Sequence, residues 1–421
     1  MAECIMVRIE YILKKNQDFW KLDFIVILFT SIIIFIGFWK ISNIAIILIL
    51  ITLSSLFSKY YFEKNNIKIT RLDIFIPVYV AVELLSYYSS YFRINSIYFI
   101  IKILCFLLFY FFIKHNITTS KLKNSIFIVL TVLGIILSFL TLIHFSFHQF
   151  TLDKYGFKQH LHFKYLFTPL GNLINEWATV FLFFLPLPII LFFVHQNFRY
   201  RWLFLLNIIL FLTVLIISFC RGIYLALCTF IIMVIILLIK NQMINWRKLV
   251  IVSSLLGLLV ILFLFPVRES LVTTSLGFKT LSQVRSIEGR ITIWKNSIKI
   301  FRQNPILGVG SFNFPIYYTA YKNNDTVSPF IGRAFNTYLQ IIVEKGLLGF
   351  ITFFIIIYIS LHHTKNKLKN QNITKDEKYI SILLVSMIIS VLVRDFTYSS
   401  LIYHDGVGLL FWLYLALINQ E

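Results

Sequence analysis

One polar stretch interrupts an otherwise apolar chain and combines cationic with aromatic side chains: EGRITIWKNSIKIFRQNPILGVGSFNF, residues 288–314. Arg290 and Trp294 stand four residues apart, so they share one side of a helix. The planar guanidinium group of arginine binds phosphate oxygens in pairs. The residue types in this stretch therefore suit an anion that carries phosphate.

The spacing of apolar residues predicts a helix over residues 286–303. Apolar side chains recur every three or four positions and form one face of this helix. The residues of this face are Ile287, Ile291, Trp294, Ile298 and Phe301. The sequence NPILGVG then ends the helix in a Pro/Gly turn. We expect an amphipathic helix that lies along a membrane surface and ends in a flexible turn.

The rest of the chain suits a lipid environment. Of its 421 residues, 59% are hydrophobic and 14% are charged, whereas about a quarter of a soluble domain is charged. Apolar runs recur, each near the roughly 20 residues of a transmembrane helix. We predict an all-α polytopic membrane protein that forms one integral membrane domain over residues 1–421. The twelve predicted transmembrane helices cover residues 24–39, 43–57, 72–92, 96–113, 125–145, 177–195, 203–219, 222–239, 249–265, 338–361, 379–393 and 401–418.

Lys and Arg residues indicate how these helices are oriented. They crowd connections such as 58–71, 114–124 and 362–378 and are sparse in the alternate short turns. The positive-inside rule places the crowded connections and both termini in the cytoplasm. Two long connections, residues 146–176 and 266–337, then lie outside. The second is cationic without a topological reason, which favours an anionic partner such as a phospholipid headgroup, a lipopolysaccharide phosphate or a lipid-linked sugar pyrophosphate.

Composition and motifs exclude several classes of protein. The net charge of +21 follows largely from the positive-inside pattern and requires no nucleic-acid partner. The four cysteines show neither a disulfide framework nor metal-ligand spacing, and His160 and His162 alone are a weak metal signal. The chain has no P-loop and no dinucleotide fingerprint. We therefore predict no cofactor, no metal site and no ATP-driven pump.

Two further arginines lie at the ends of predicted transmembrane helices. Arg221 separates two apolar runs. An arginine near the hydrocarbon boundary is costly, which favours a functional role over a side chain that only reaches the headgroups. Arg394 is followed by Asp395, which can neutralise it. For this pair a structural and a functional role are equally open.

Four segments follow one another in the order of a known family. PLGNLINEWATVFLFFLPL opens a helix after the first long outer loop, and SFCRGIYLAL lies at an outer helix end. GRITIWKNSIKIFRQNPILGVGSFNF follows, and FNTYLQIIVEKGLLGF comes after the large outer loop. Together they resemble the O-antigen ligase and polymerase superfamily of bacterial membrane glycosyltransferases. The resemblance covers roughly residues 165–420.

This resemblance implies a reaction and its partners. Members take a glycan carried on undecaprenyl pyrophosphate at the outer face of the bacterial inner membrane. A ligase transfers it to lipid A–core, and a polymerase transfers it to a second lipid-linked repeat. The resemblance further implies that Arg221 and Arg290 hold the donor pyrophosphate, without metal or cofactor. Preplaced guanidinium groups would stabilise the negative charge that builds on the departing pyrophosphate.

Phe335 departs from the family pattern. Ligase-like relatives carry histidine just before the Asn-Thr-Tyr-Leu-Gln segment, as the proposed base for the acceptor hydroxyl, but here the segment reads RAFNTYLQ. The loss of this histidine favours a polymerase over a ligase. Another group must then act as base, or none is needed. His404 and Asp395 are the first candidates because both lie near the last outer turn, and Glu288 and Glu176 are further ones.

Aromatic and amide side chains near the arginines are candidate contacts to the glycan or acceptor: Trp294, Tyr318 and Asn336. Two other function classes compete with a transferase. A polysaccharide transporter or flippase would show related halves and charges distributed through the membrane depth, where Lys102 and Lys345 are the notable examples. A transferase would gather its charges at one face. A non-catalytic scaffold predicts that the outer arginines can be replaced without effect.

Overall fold

A computed structural model describes residues 70–154, 174–195, 197–218, 220–243, 281–321 and 332–420, with a few positions between residues 26 and 33. These residues form helices joined by short connections, with no strand among them, which confirms the predicted all-α class. The helices are α1 Arg71–Tyr88, α2 Arg93–Asn116, α3 Ser120–Lys154, α4 Ile174–Phe184, α5 Pro186–Val194, α6 Phe198–Ile217, α7 Arg221–Lys240, α8 Leu281–Gln303, α9 Phe314–Tyr321, α10 Thr337–Lys369, α11 Lys375–Arg394, α12 Ser400–Tyr403 and α13 Asp405–Ile418.

Six described stretches are long and apolar enough to cross a membrane, and each overlaps a predicted span. They are Arg93–Asn116, Ser120–Ser146, Asn175–Val194, Tyr200–Ile217, Gly222–Lys240 and Thr337–Lys369. Helices α1, α11 and α13 coincide with three further predicted spans. The predicted spans 43–57 and 249–265, and most of 24–39, lie outside the described residues. The count of twelve and the extent of the 266–337 loop therefore stay predictions.

The helices run between two ends of the bundle. The motif end comprises the starts of α4, α7 and α10 and the end of α11, which carry the quoted motifs. The basal end comprises the starts of α1, α3 and α11 and the ends of α2, α10 and α13. There Lys114 pairs with Asp73 at 2.5 Å, and Lys367 donates to the Gln420 carbonyl at 2.9 Å. Segments predicted on one side of the membrane thus meet at one end; which end faces the cytoplasm stays a prediction.

The glycine turn after α8 packs into a break in α10. Gly346 has a φ of +63° and interrupts the helical geometry of α10. The backbone amides of Val309 and Gly310 donate to α10 carbonyls at 3.0 and 2.9 Å, and an α10 amide donates back to Pro305 at 2.8 Å. A Cβ atom at Gly308 or Gly346 would collide with the facing backbone. The turn lies where the sequence predicts it, but backbone hydrogen bonds hold it, contrary to the expected flexibility.

Helix α8 is amphipathic as predicted, but it buries a different face. Ile293 and Ile300 are buried with Ser297 between them, whereas Ile291 and Ile298 are exposed. Membrane surroundings remove the hydrophobic drive that would turn every isoleucine toward protein, so helix contacts there favour small and polar residues. The periodicity identified the helix, but the predicted face is wrong by one or two positions.

Both lysines predicted to lie within the membrane have acidic partners. Lys345 in α10 lies 2.6 Å from Glu83 in α1. Lys102 in α2 lies 2.5 Å from Asp405 at the start of α13. Each ion pair joins helices that are distant in sequence, so these charges hold the bundle together.

Candidate active site

The Arg333–Asn336 segment, which precedes α10, organises the motif end. Asn336 accepts hydrogen bonds from two backbone amides of the first turn of α10, the role that asparagine commonly has at a helix N-cap. The Trp294 indole of α8 donates to the Ala334 carbonyl at 3.0 Å. The side-chain carbonyl of Gln340 accepts from the Ala334 amide at 2.6 Å. The segment is therefore fixed to both α8 and α10.

The Phe335 ring has two neighbours: Arg290, which is predicted to bind phosphate, and the aromatic ring of Tyr398. The Arg290 guanidinium carbon lies 5.8 Å from the centroid of the Phe335 ring, and the Tyr398 ring lies 5.8 Å from it on centroids. Phe335 has a φ of +51°, in the left-handed region that non-glycine residues seldom adopt. The position where ligase-like relatives carry histidine thus lies directly against Arg290.

Arg333 forms the centre of this region. Its guanidinium carbon lies 5.2 Å from the Tyr398 ring and 5.4 Å from the Tyr403 ring, within the range of cation–π attraction. It pairs with Glu176 of α4 at 2.5 Å. Burial disfavours the charge on Arg333, but Tyr398 and the Glu176 carboxylate outweigh burial and raise the pKa of the guanidinium. Arg333 is therefore a permanently charged group held between two rings.

Asp395 is the hub of a second, closed network. Its Oδ1 atom accepts from Arg394 at 2.8 Å and Ser400 at 2.7 Å. Its Oδ2 atom accepts from Thr337 at 2.6 Å and from the Leu401 amide at 3.0 Å. A carboxylate has about four lone-pair sites, so all are engaged, and the side chain is fully buried. This geometry favours a positioning role for Asp395 over the role of base.

Three arginines and two rings form one continuous group, which we call the arginine–aromatic cluster. Tyr398 joins its parts. Its ring lies 4.7 Å from the Arg394 guanidinium carbon, and it also lies beside the Arg333 guanidinium and the Phe335 ring. Its members are Arg290, Phe335, Tyr398, Arg333 and Arg394. Two carboxylates, of Glu176 and Asp395, pair with two of its arginines. The cluster therefore brings three guanidinium groups together at the motif end.

His404 is buried between α12 and α13. Its Nδ1 atom accepts a hydrogen bond from the Val407 amide at 3.1 Å and so caps α13. Because Nδ1 accepts this hydrogen bond, the helix cap engages that ring nitrogen.

The other predicted contacts differ in their surroundings. Trp294 is half-buried and fixed to the Arg333–Asn336 segment, so it lies beside the cluster. Tyr318 is buried and stacks on Phe314 at 5.7 Å between centroids. Because its ring is packed inside the protein, the position of Tyr318 favours a core role over contact with a sugar.

Arg221 is the first residue of α7, and its backbone lies near the cluster. A Cβ atom on the adjacent Gly222 would meet the Thr397 hydroxyl and the Arg394 side chain. The start of α7 therefore packs against the end of α11. Convergence of the Arg221 and Arg290 guanidinium groups stays a prediction, because the Arg221 side chain lies outside the described part of the structure. The same holds for Glu288.

The comparison with protein families addresses this same region. Residues 206–354 match the family model of the O-antigen ligase. This segment of the chain is therefore similar to the O-antigen ligase family. The match extends from α6 into α10 and contains Arg221, Arg290, Trp294 and Phe335, so it confirms the resemblance predicted from the motifs. No protein with a curated description matches the chain significantly.

Several residues of the candidate site went unnoticed in the sequence. Arg333, Tyr398 and Tyr403 lie within or near quoted motifs, but nothing in their spacing indicates that they meet. Arg333 and its partner Glu176 are separated by 157 positions. The family match ends at residue 354, within α10, so Glu176 before it and Arg394, Tyr398 and Tyr403 after it belong to the site but lie outside the match. Among the described residues, no group of three His, Cys, Asp or Glu side chains could hold a metal ion; His160 and His162 lie outside them.

Proposed function

We propose that this O-antigen ligase-type protein is a glycosyltransferase of the bacterial inner membrane, with both termini in the cytoplasm. Its donor is a glycan linked to undecaprenyl pyrophosphate, and transfer occurs at the motif end, which faces outward. A polymerase that joins O-antigen or capsule-type repeats is favoured over a ligase that uses lipid A–core. Phe335 supports this preference because it replaces the histidine expected of a ligase.

The arginine–aromatic cluster is the observation that carries this proposal. Its three guanidinium groups lie at one end of a bundle of apolar helices, where the pyrophosphate of a lipid carrier would meet the protein. Arg290 presents its guanidinium over the Phe335 ring, 5.8 Å from the ring centroid, within the range of cation–π attraction. Arginine forks bind phosphate oxygens in pairs, so three guanidinium groups gathered at one end of the bundle suit a dianion.

The chemistry follows from where charge develops during transfer. The acceptor hydroxyl attacks the anomeric carbon, and the carbon–oxygen bond to the pyrophosphate breaks. Negative charge then grows on the departing pyrophosphate. Guanidinium groups already held in place stabilise that charge without reorganisation, and one preplaced donor of this kind is typically worth about 10²–10³-fold in rate.

The placement of charge also bears on the competing transporter. A transporter needs mobile charges along its path, but Lys102 and Lys345 are each locked in an ion pair with a neighbouring helix. The three arginines of the arginine–aromatic cluster, in contrast, lie together at the motif end. This distribution favours a transferase.

The test uses purified protein in lipid nanodiscs. It is incubated with undecaprenyl-pyrophosphate-linked repeat units, in one series alone and in another with lipid A–core. We expect repeat units to join into longer lipid-linked chains in both series. Capping of lipid A–core without chain growth would identify a ligase, and no glycosidic product in either series would contradict the proposed function.

A further inference from the structure

A buried side-chain group lies next to the arginine–aromatic cluster and is not used in the donor-binding role described above. Tyr403 donates its hydroxyl hydrogen to Glu344 Oε1 at 2.7 Å. The Gln340 side-chain amide donates to the same Glu344 oxygen and to the Tyr403 oxygen, each at 2.7 Å. Glu344 is fully buried, and its Oε2 atom accepts no hydrogen bond from the described residues. The carboxylate therefore has room for a proton.

Gln340 connects this group to the site. Its side-chain carbonyl accepts from the Ala334 amide at 2.6 Å, so one glutamine links Tyr403 and Glu344 to the residue beside Phe335. The Tyr403 ring also lies 5.4 Å from the Arg333 guanidinium carbon. Tyr403 is only half-buried, whereas Glu344 behind it is closed off. The tyrosine is therefore the member that a substrate could reach.

The hydrogen bonds leave Tyr403 suited to receive a proton. A tyrosine hydroxyl has one donor and two acceptor sites. The donor is used by Glu344 and one acceptor site by Gln340, so one acceptor site on the oxygen stays open for another hydroxyl. The two candidate bases predicted from the sequence differ from Tyr403: all lone-pair sites of Asp395 are engaged, and Nδ1 of His404 caps a helix.

We propose that Tyr403 and Glu344 together take the proton of the acceptor hydroxyl, and so replace the base that Phe335 cannot provide. This inference rests on the proposed function. Tyr403 is the catalytic residue that contacts the acceptor, and Glu344 acts through it. Gln340 is a positioning residue for both.

The transfer step balances in atoms and electrons. The acceptor oxygen forms a bond to the anomeric carbon, and its proton moves to the Tyr403 oxygen. The original tyrosine proton moves to Glu344 Oε1 at the same time. The bond from the anomeric carbon to the pyrophosphate oxygen breaks, and the pyrophosphate leaves with the bonding electrons. Return of the proton from Glu344 through Tyr403 to water restores the starting state.

The experiment measures kcat and the donor KM for chain growth in nanodiscs. Tyr403→Phe keeps the ring against Arg333 and removes the hydroxyl that carries the proton, together with its hydrogen bonds to Glu344 and Gln340. We expect kcat to fall by about 10²–10⁴-fold, the usual contribution of general acid–base catalysis, with little change in the donor KM. Glu344→Gln keeps an oxygen that accepts the Tyr403 and Gln340 hydrogen bonds but takes up no proton, so the same loss is expected.

Two further variants separate a proton-accepting from a structural role. Tyr403→Phe combined with Phe335→His should recover part of the lost kcat, because an imidazole at position 335 supplies a new base; a packing defect at Tyr403 would not be repaired. Tyr110→Phe removes a buried tyrosine–carboxylate hydrogen bond at the basal end, to Asp73 at 3.2 Å, and should keep the wild-type kcat.

The outcomes distinguish this inference from the proposed function. A wild-type protein that joins no glycan units contradicts the proposed function itself. An active wild type whose kcat survives in Tyr403→Phe or in Glu344→Gln overturns only the assignment of the proton acceptor. The assignment is also overturned if the loss in Tyr403→Phe is not relieved by Phe335→His. If Tyr403→Phe does not fold, Glu344→Gln alone decides the question.

Discussion

The two ends of the bundle are both closed by buried charged side chains, but in different ways. At the basal end one lysine meets one carboxylate: Lys114 lies 2.5 Å from Asp73, with Tyr110 and Thr70 completing the group. At the motif end three arginines share two carboxylates and two aromatic rings. The basal group is built on a single lysine–carboxylate pair, whereas the motif-end group gathers three arginines around two aromatic rings.

This difference separates a structural role from a binding role. A balanced buried pair has satisfied its charges and offers nothing to a further ion. A group of several guanidiniums, which bind phosphate oxygens in a forked geometry, is suited to hold a further anion. We therefore expect changes at the basal end to lower stability and changes at the motif end to lower transfer.

Loss of the basal ion pair should have the largest effect. Lys114→Met leaves the Asp73 carboxylate buried without its cation, which typically costs about 3–5 kcal/mol of unfolding free energy. Denaturant unfolding in detergent measures this cost. The double variant Lys114→Met/Asp73→Leu should recover much of it, because replacing both partners by apolar groups is often neutral.

Lys369→Met is the matched control for this variant, since Lys369 is the last residue of α10, lies at the same basal end and is exposed. It should leave stability nearly unchanged. The division between the two ends would be contradicted if Lys114→Met kept its stability but lost kcat in the folded protein.

Loss of Arg290 should reduce transfer strongly with little effect on stability. Arg290→Ala removes a preplaced donor to the leaving pyrophosphate, so kcat should fall by about 10²–10³-fold. Arg290→Lys keeps the charge but loses the fork, and should also lose most of the activity. The assay is chain growth from lipid-linked repeats by equal amounts of folded protein.

Arg302→Ala on the same helix is the control, because Arg302 is exposed. It should transfer glycan at the wild-type rate. Equal losses in the Arg302 and Arg290 variants would mean that total charge on α8 matters and that the cluster does not.

The clamp between the glycine turn and α10 should show an intermediate effect on stability. Gly346→Ala places a Cβ against the Ile306 carbonyl at a positive φ, and backbone strain of this kind costs on the order of 1–3 kcal/mol. Gly289→Ala in α8 meets no atom within contact distance and should not destabilise the protein. Thermal unfolding of both variants makes the comparison; similar melting temperatures would show that the clamp contributes little.

The predictability of the site varied with the kind of contact involved. Arg290 and Trp294 were recognisable because they lie four positions apart on one helix. The pairing of Arg333 with Glu176 was not, because 157 residues separate them and neither residue type indicates its partner. Asp395 was predicted to neutralise Arg394 or to act as base, and only its four hydrogen bonds favour the first role.

The sequence by itself determined the helical class, the existence of α8 and its Pro/Gly end. These features depend on residues close together in the chain, through hydrophobic runs, periodicity and breakers. Only the tertiary structure decided which face of α8 is buried, why Gly308 and Gly346 are glycines, and which group lies beside Phe335. Each of these depends on atoms that folding brings together from distant segments, where packing and charge pairing between helices outweigh local preference.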